Sequence, residues 1–293
     1  MRRRNFLRGT LTTTAGTLVA AEGANLYMRN VEPIWLDIHE IPVHLARLDP
    51  AFNHYRIAHI TDLHTDDTFM TSERLAQVVQ VVNNVRAQLV LITGDFVTHL
   101  IASSAATLSQ LRHLHAPDGI FATLGNHDHW AGPQQVTMLL QDNGIQVLKD
   151  EVHTLDRGDH KAVLHLIGMD DLWTDEPTQS AWAHKDRLHG LLGQLPDNGA
   201  ALLMVHEPDF ADVAAASGRI DLQFSGHSHG GQIRIPFYGS IYLPELARKY
   251  QAGMYQIQNL QHYTNRGLGM IDPQVRLNCR PEVAVFELLA TEV

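Results

Sequence analysis

The sequence contains almost no cysteine: Cys279 is the only one in 293 residues. A disulfide needs two thiols, so no internal disulfide can form, and a cysteine-based metal cluster is excluded as well. Stability must therefore come from a packed core. With 44% hydrophobic and 18% charged residues, the chain is long enough to bury one sizeable core.

Positive charge is scarce too. The formal net charge is −10, and because residues 1–30 hold five arginines and one glutamate, the rest of the chain carries −14. Nucleic-acid binding depends mainly on Lys and Arg that neutralise phosphates, so no nucleic-acid partner is expected. Histidine is abundant instead, with 19 copies, and only the position of each one can show which of them matter.

The N-terminus lacks an apolar run of the roughly 20 residues that a transmembrane helix needs. It has a basic start followed by a short apolar stretch that contains Thr and Gly, which is the layout of a bacterial export signal. The run Arg3-Arg4-Asn5-Phe6-Leu7 resembles the twin-arginine motif of proteins exported in the folded state. A frayed basic terminus of a cytoplasmic protein is the alternative.

We therefore predict that residues 1–30 are an export signal or an uncleaved membrane anchor, and that residues 31–293 form one domain. The expected location is the periplasm or cell envelope. The twin-arginine export machinery would be a partner, and an uncleaved segment would attach the protein to the inner membrane.

Short apolar runs alternate with helical patterns along the rest of the chain. Four to seven residues rich in Ile, Leu, Val or Phe indicate buried strands at Arg56–Ile60, Leu89–Thr93, Ile120–Leu124, Val163–Met169, Ala201–Val205 and Leu222–Ser225. Helical spacing of apolar residues and capping signals indicate helices at Ser72–Val85, Ser103–Leu114, Pro133–Asn143 and Pro208–Ala216. This alternation predicts an α/β fold in which helices cover the sheets.

Polar side chains follow five of these strands directly. They are Asp62 and His64, then Asp95, then Asn126, His127 and Asp128, then His206, and finally His227 and His229. Ligands of α/β proteins collect beyond the carboxyl ends of the strands, so these side chains are expected to meet. A set of oxygen and imidazole donors without cysteine suits Mn, Fe or Zn better than Ca or Mg.

The order Asp-x-His, Gly-Asp, Gly-Asn-His-Asp, His, Gly-His-x-His resembles the calcineurin-like metallophosphoesterase superfamily from about residue 55 to the C-terminus. Residues 124–130, 206–209, 225–236 and 263–269 look like its exported bacterial branch. The resemblance implies a four-layer α/β/β/α sandwich, with two mixed β-sheets flanked by helices and metals at the carboxyl ends of the strands.

The resemblance also implies a site for two divalent metal ions. Asp62, His64 and His229 would hold one ion, Asn126, His206 and His227 would hold the other, and Asp95 would bridge them. An anionic bridge is physically reasonable because it offsets the repulsion between cations roughly 3.5–4 Å apart. Asp62 and His64 would point the same way because alternate residues of an extended segment share a face. Mn²⁺ is the expected metal, with Fe or Zn as alternatives.

The implied reaction is in-line attack on phosphorus by a metal-bridging hydroxide, since two dications lower the pKa of a bridging water and polarise the phosphoryl oxygens. His127 is the candidate catalytic residue that gives a proton to the leaving alkoxide. Asp128 would orient the His127 imidazole and favour its cationic form. The expected activity is a phosphoric ester hydrolase, a phosphodiesterase rather than a monoesterase.

The substrate is expected to be a small-molecule or lipid-linked phosphate ester. The branch includes members linked to UDP-2,3-diacylglucosamine hydrolysis in lipid A biosynthesis. Export argues against such a substrate, because nucleotide sugars are cytoplasmic, although an inward-facing anchored enzyme would reach it. The alternative is a non-catalytic metal-binding protein of the cell envelope on the same fold. Loss of a ligand would favour that alternative, but all seven ligands, His127 and Asp128 are present.

Overall fold

A computed structural model describes residues 21–158, 161–174 and 180–291. The twin-arginine segment therefore lies outside the described residues, as does most of the predicted 1–30 signal. Residues 21–30 are helical (α1). Within the described ranges, no helix is both long and apolar enough to span a bilayer.

The first sheet has six strands and mixed direction. Its strand order is β1 (Asp37–Leu45), β14 (Glu282–Ala290), β2 (Tyr55–Ile60), β3 (Leu89–Thr93), β4 (Ile120–Thr123) and β5 (Gln146–Val147). Strand β14 runs parallel to β1 and antiparallel to β2, and β2 to β5 are all parallel to one another. The C-terminal strand is thus inserted between two strands from the start of the chain.

The second sheet also has six strands. Its order is β12 (Gly253–Ile257), β13 (Leu260–Thr264), β9 (Leu222–Ser225), β8 (Ala200–Met204), β7 (Val163–Gly168) and β6 (Glu151–Asp156). Only the outer pairs, β12 with β13 and β6 with β7, are antiparallel. A separate hairpin consists of β10 (Arg234–Ile235) and β11 (Gly239–Ser240).

Helices cover the outer face of each sheet. They are α2 (Ser72–Asn84), α3 (Ser104–Leu108), α4 (Asn126–Ala131), α5 (Pro133–Gln141), α6 (Lys185–Leu192) and α7 (Ala211–Ser217). Apolar residues of α2, α3 and α5 share one core with the first sheet, and those of α6 and α7 share another with the second. A third core lies between the two sheets. The predicted four-layer α/β/β/α sandwich is confirmed.

Strand β3 shows why the sequences of the buried strands are continuous apolar runs. Leu89 and Leu91 face the core between the sheets, whereas Val90 and Ile92 face the helices. Side chains of a strand point alternately to its two faces, so a strand covered on both sides needs apolar residues at every position.

All six predicted strands are found within one residue at each end. The predicted helix Ser103–Leu114 is divided into α3 and a 3₁₀ helix, Ser109–His113. The predicted helix Pro208–Ala216 begins with a 3₁₀ turn, Pro208–Phe210. Eight strands, namely β1, β5, β6 and β10 to β14, were not predicted. Polar residues interrupt the apolar pattern of β1 and β13, and the apolar run of β14 precedes no polar motif that would have drawn attention to it.

Packing in the core between the two sheets leads to a prediction about stability. Phe286 of β14 is buried, and its ring centroid lies 4.9 Å from that of Phe224 in the opposite sheet and 5.1 Å from that of Tyr263. Phe286→Ala should lower the free energy of unfolding by about 3–5 kcal/mol, because it leaves a cavity. Denaturant titration measures this change. Phe237→Ala, at a fully exposed position, is the control and should change it by less than about 0.5 kcal/mol. Equal changes in the two variants would contradict this packing.

Candidate metal centre

The loops that follow β2 and β3 run side by side beyond the sheet. The N–H of Asp62 donates to the carbonyl of Gly94 over 3.0 Å, and the N–H of His64 donates to the carbonyl of Asp95 over 3.0 Å. Asp62 and His64 have φ of +51° and +45°. The expectation that strand alternation aligns them is therefore wrong. Left-handed backbone conformations place both side chains beside Asp95 instead.

One group of potential ligands consists of Asp62, His64, Asp95 and His229, whose ligand atoms all lie within 4.8 Å of one another. The Nε2 atoms of His64 and His229 are 3.0 Å apart. His64 Nε2 lies 3.4 Å from Asp95 Oδ2, and His229 Nε2 lies 3.4 Å from Asp62 Oδ1. Metal–ligand bonds of about 2.1 Å place neighbouring ligand atoms about 3 Å apart, so this spacing fits one cation.

A second group consists of Asp95, His206 and His227, again with ligand atoms within 4.8 Å of one another. His206 Nε2 lies 3.2 Å from Asp95 Oδ2. Asn126, the first residue of α4, is buried, and the N–H of the next residue, His127, donates to Asp95 Oδ1 over 2.9 Å. Asp95 is the one residue shared by both groups.

The buried side-chain atoms that lack a hydrogen bond within the described part of the chain include two at this second group, Asn126 Oδ1 and His206 Nε2. Buried polar atoms normally have a partner, so an unpaired oxygen and an unpaired ring nitrogen require an explanation. Both atoms belong to residues predicted to bind the second ion. A divalent cation would supply the missing partner, and the oxygen and nitrogen donors fit such an ion.

Hydrogen bonds at the far side of the ring orient three of the four imidazoles. His206 Nδ1 donates to the carbonyl of Thr93 over 2.6 Å, and His227 Nε2 donates to the carbonyl of Glu245 over 2.8 Å. His64 Nδ1 lies 3.3 Å from the hydroxyl oxygen of Thr98. These contacts fix the tautomer and leave the other ring nitrogen facing the site. The sequence did not indicate Thr93 or Glu245, because they act through backbone carbonyls that every residue type has.

Burial controls the charge of these groups. Burial lowers the pKa of His227 to about 3, and it also lowers the pKa of His64 and of His229, so these rings are neutral and offer lone pairs. Burial raises the pKa of Asp62 to about 7. Burial alone would also raise the pKa of Asp95, but the adjacent His206 holds that pKa well below its usual value. The shared carboxylate is therefore an anion.

Glycine permits the close approach of the loops. Gly94 has φ of +89°, and a Cβ atom at this position would lie 2.6 Å from His206 Nδ1 and 2.7 Å from the Gly125 nitrogen. A Cβ atom at Gly226 would collide with Asp62. Glycine directly before Asp95 and before His227 therefore has a steric reason.

His127 lies at the edge of the site, where its ring centroid is 4.7 Å from that of His64. Its Nδ1 donates to the carbonyl of Thr98 over 3.2 Å. Asp128 instead accepts hydrogen bonds from the N–H groups of Phe96, Val97 and Gly125. The prediction that Asp128 orients the His127 imidazole is therefore corrected. Its carboxylate ties the loop after β3 to the start of α4, because three backbone donors converge on it.

Aromatic rings form one wall beside the site. The Trp130 ring lies 4.8 Å from the His127 ring and 5.4 Å from the Trp173 ring, which in turn lies 5.2 Å from the His227 ring. Trp173 precedes a segment, 175–179, outside the described residues. Trp130 lies two residues after Asp128 in the sequence, whereas only the fold brings Trp173 to it.

Comparison with known proteins agrees with this geometry. The family model described as "Calcineurin-like phosphoesterase" matches residues 55–231. The chain is 33% identical to "Uncharacterized metallophosphoesterase YkuE" of Bacillus subtilis over 99% of both chains. It is 29% identical to "Phosphodiesterase YaeI" of Escherichia coli, over 98% of this chain and 99% of that one. The fold also resembles TT1561 of Thermus thermophilus, with a TM-score of 0.50 and 11% identity over 74% of this chain and 91% of that chain.

The family match and the clustered ligands lead to the same conclusion. The matched region contains all seven predicted ligands, and the described residues include two ligand groups that share one carboxylate. Divalent metal ions fit these oxygen and imidazole donors. The chain therefore belongs to the calcineurin-like phosphoesterase family and is a metal-dependent phosphoester hydrolase.

Proposed function

We propose that the chain is a two-metal phosphodiesterase. Asp62, His64 and His229 hold one divalent ion, Asn126, His206 and His227 hold the other, and Asp95 bridges them. The observation that carries this assignment is that Asp95 belongs to both ligand groups. Mn²⁺ is the first candidate, with Fe or Zn as alternatives.

Two bound divalent ions supply Lewis-acid activation of water and of the phosphoryl oxygens. The chain contributes a proton donor for the leaving alkoxide, namely His127. Since the Thr98 carbonyl holds the Nδ1 proton of His127, Nε2 is the nitrogen that exchanges a proton with the leaving group. The Trp130 ring packs on the His127 imidazole and restricts its rotation.

A diester substrate is supported by the relative whose printed name is phosphodiesterase. An apolar cavity of about 250 Å³ supports a lipid-linked substrate. Its lining includes Ile233, Ile241, Tyr242 and Pro244, together with the predicted ligand His229. A hydrocarbon tail in the cavity would lie directly beside the metal centre. A lipid-linked phosphodiester, or a pyrophosphate of the UDP-2,3-diacylglucosamine type, has such a tail.

Export to the periplasm or cell envelope is part of the proposal. Its support is the Arg3-Arg4-Asn5-Phe6-Leu7 run within a basic and then apolar N-terminus. Residues 1–30 would act as a twin-arginine signal or as an uncleaved anchor in the inner membrane, and residues 31–293 would be the catalytic domain.

Asp95→Asn tests the shared ligand. A neutral amide cannot bridge two cations as a carboxylate does, so metal content should fall from two ions per chain to one or none. Turnover of bis-nitrophenyl phosphate should fall more than about 100-fold. Mutation of residues that only orient metal ligands already lowers metal affinity or activity by about 10–100-fold. Elemental analysis and assays of metal-stripped protein reloaded with Mn, Fe or Zn measure both effects.

Asp142→Asn is the matched control, because Asp142 is exposed at the end of α5. It should keep both ions and full activity. Two ions per chain and undiminished turnover in Asp95→Asn would rule out the bridging assignment.

His127→Asn tests the proton donor. A nitrophenolate leaving group needs little protonation, whereas phenolate and alkoxide groups need much more. The kcat of the variant should therefore fall by about 10²–10⁴-fold for substrates with poor leaving groups, and by far less for substrates that release nitrophenolate. The measurement is kcat for a series of aryl methyl phosphates, plotted against leaving-group pKa. His113→Asn, at an exposed position, should retain the wild-type slope. A His127→Asn slope equal to that of the wild type would assign the donor role to another group.

Ile241→Asn tests the lipid-linked substrate. The wild type should prefer nitrophenyl decyl phosphate to nitrophenyl methyl phosphate by at least about tenfold in kcat/KM, because burial of each CH₂ group is worth about 0.8 kcal/mol. The polar substitution should remove this preference and leave turnover of the methyl ester unaffected. Met138→Asn is the control, since Met138 and Ile241 are each 56% exposed. If the wild type shows no preference for the decyl ester, the cavity does not hold the tail.

A further inference from the structure

Exposed apolar side chains are concentrated in two segments. Of the sixteen large hydrophobic residues exposed in the described part of the chain, six lie between Leu26 and Ile38, and five lie between Ile235 and Tyr242. Single exposed apolar residues are ordinary, whereas a contiguous group of them marks an interaction surface. Most of this exposed apolar surface therefore belongs to two short stretches.

The two segments lie next to one another, because both attach to residues 276–280. The N–H of Arg276 donates to the carbonyl of Met28 over 2.9 Å, and the N–H of Arg234 donates to the carbonyl of Leu277 over 2.8 Å. The Arg280 guanidinium lies 4.6 Å from the centroid of the Trp35 ring. Five residues span at most about 18 Å. The two segments are therefore neighbours on the molecule, and together they are called here the apolar face.

The tip of the β10–β11 hairpin is the most exposed part of the apolar face. Residues 236–238 form its turn, which is closed by a 3.1 Å hydrogen bond from the N–H of Tyr238 to the carbonyl of Ile235. Phe237 is fully exposed and has φ of +65°, a conformation that is uncommon and unfavourable for an aromatic residue. The backbone therefore holds two aromatic rings outward in a defined turn.

The chemistry of the apolar face matches a lipid surface. Tyr and Trp favour the boundary between lipid and water, and both occur here beside Ile, Leu and Phe. The chain also reaches this face directly after residues 1–20, whose basic start and apolar run are predicted to direct it to a membrane. Since the rest of the chain carries −14, we expect attraction to anionic lipid to contribute less than apolar insertion. Insertion of apolar side chains is therefore the expected source of affinity for the bilayer.

We propose that the apolar face docks on a lipid bilayer and inserts the hairpin tip, residues 236–238. Ile241 and Tyr242 belong both to this face and to the cavity beside His229. Docking therefore brings the cavity mouth to the bilayer surface, next to the metal centre. The docking itself does not depend on the metal ions or on the proposed reaction.

The test is a fluorescent probe attached to the full chain. Cys279 is buried, so Phe237→Cys provides the one accessible thiol for an environment-sensitive dye. Met138→Cys is the matched control, because Met138 is also exposed and apolar but lies on α5. Both proteins retain residues 1–30, so any anchoring by that segment is the same. Phosphatidylcholine vesicles are added, with and without doxyl-labelled lipid.

Insertion predicts a blue-shifted emission for the dye at position 237, severalfold stronger doxyl quenching than at position 138, and no loss of either effect in high salt. Equal quenching at the two positions would overturn the proposal, because the chain would then be only tethered. A blue shift without vesicles that grows with protein concentration would also overturn it, in favour of a second copy. Turnover of bis-nitrophenyl phosphate by the same samples, measured separately, tests the catalytic proposal alone.

Discussion

Two buried carboxylates, Asp62 and Asp95, place a constraint on every loop around them. A carboxylate removed from water is costly unless positive charge and hydrogen-bond donors replace the water. Here the N–H of His227 donates to Asp62, and the N–H of His127 donates to Asp95. Each donor comes from a segment that itself carries a predicted ligand. These hydrogen bonds therefore fix the carboxylates and the surrounding segments relative to one another.

The same constraint explains why the site needs two sheets. Asp62, His64 and Asp95 follow strands of the first sheet, whereas His206, His227 and His229 follow strands of the second. Each ligand group draws on both sheets. The centre therefore exists only when the sheets are packed face to face, as the aromatic contact of Phe224 with Phe286 requires. Cations that bind only this packed state stabilise it by mass action.

The polar centre lies beside an unusually apolar part of the surface. The Gly-rich loop that carries His229 continues directly into the β10–β11 hairpin, so one stretch of chain supplies a predicted metal ligand, a cavity wall and the exposed aromatic tip. An amphiphilic phosphate ester has the same division between a charged group and an apolar tail. The proximity of the two regions is therefore the physical link between the proposed reaction and the proposed membrane docking.

The sequence by itself determined the six buried strands and the order of the donor residues, because strands covered on both faces need continuous apolar runs and ligands follow the strand ends. Family resemblance extended this to an assignment of ligands to two ions. Tertiary structure alone decided that Asp128 binds backbone N–H groups and not His127, and that Trp173 reaches His227. It also placed α1 beside the hairpin through residues 276–280. These contacts join residues far apart in the chain, often through backbone atoms, and no local pattern of residue types encodes them.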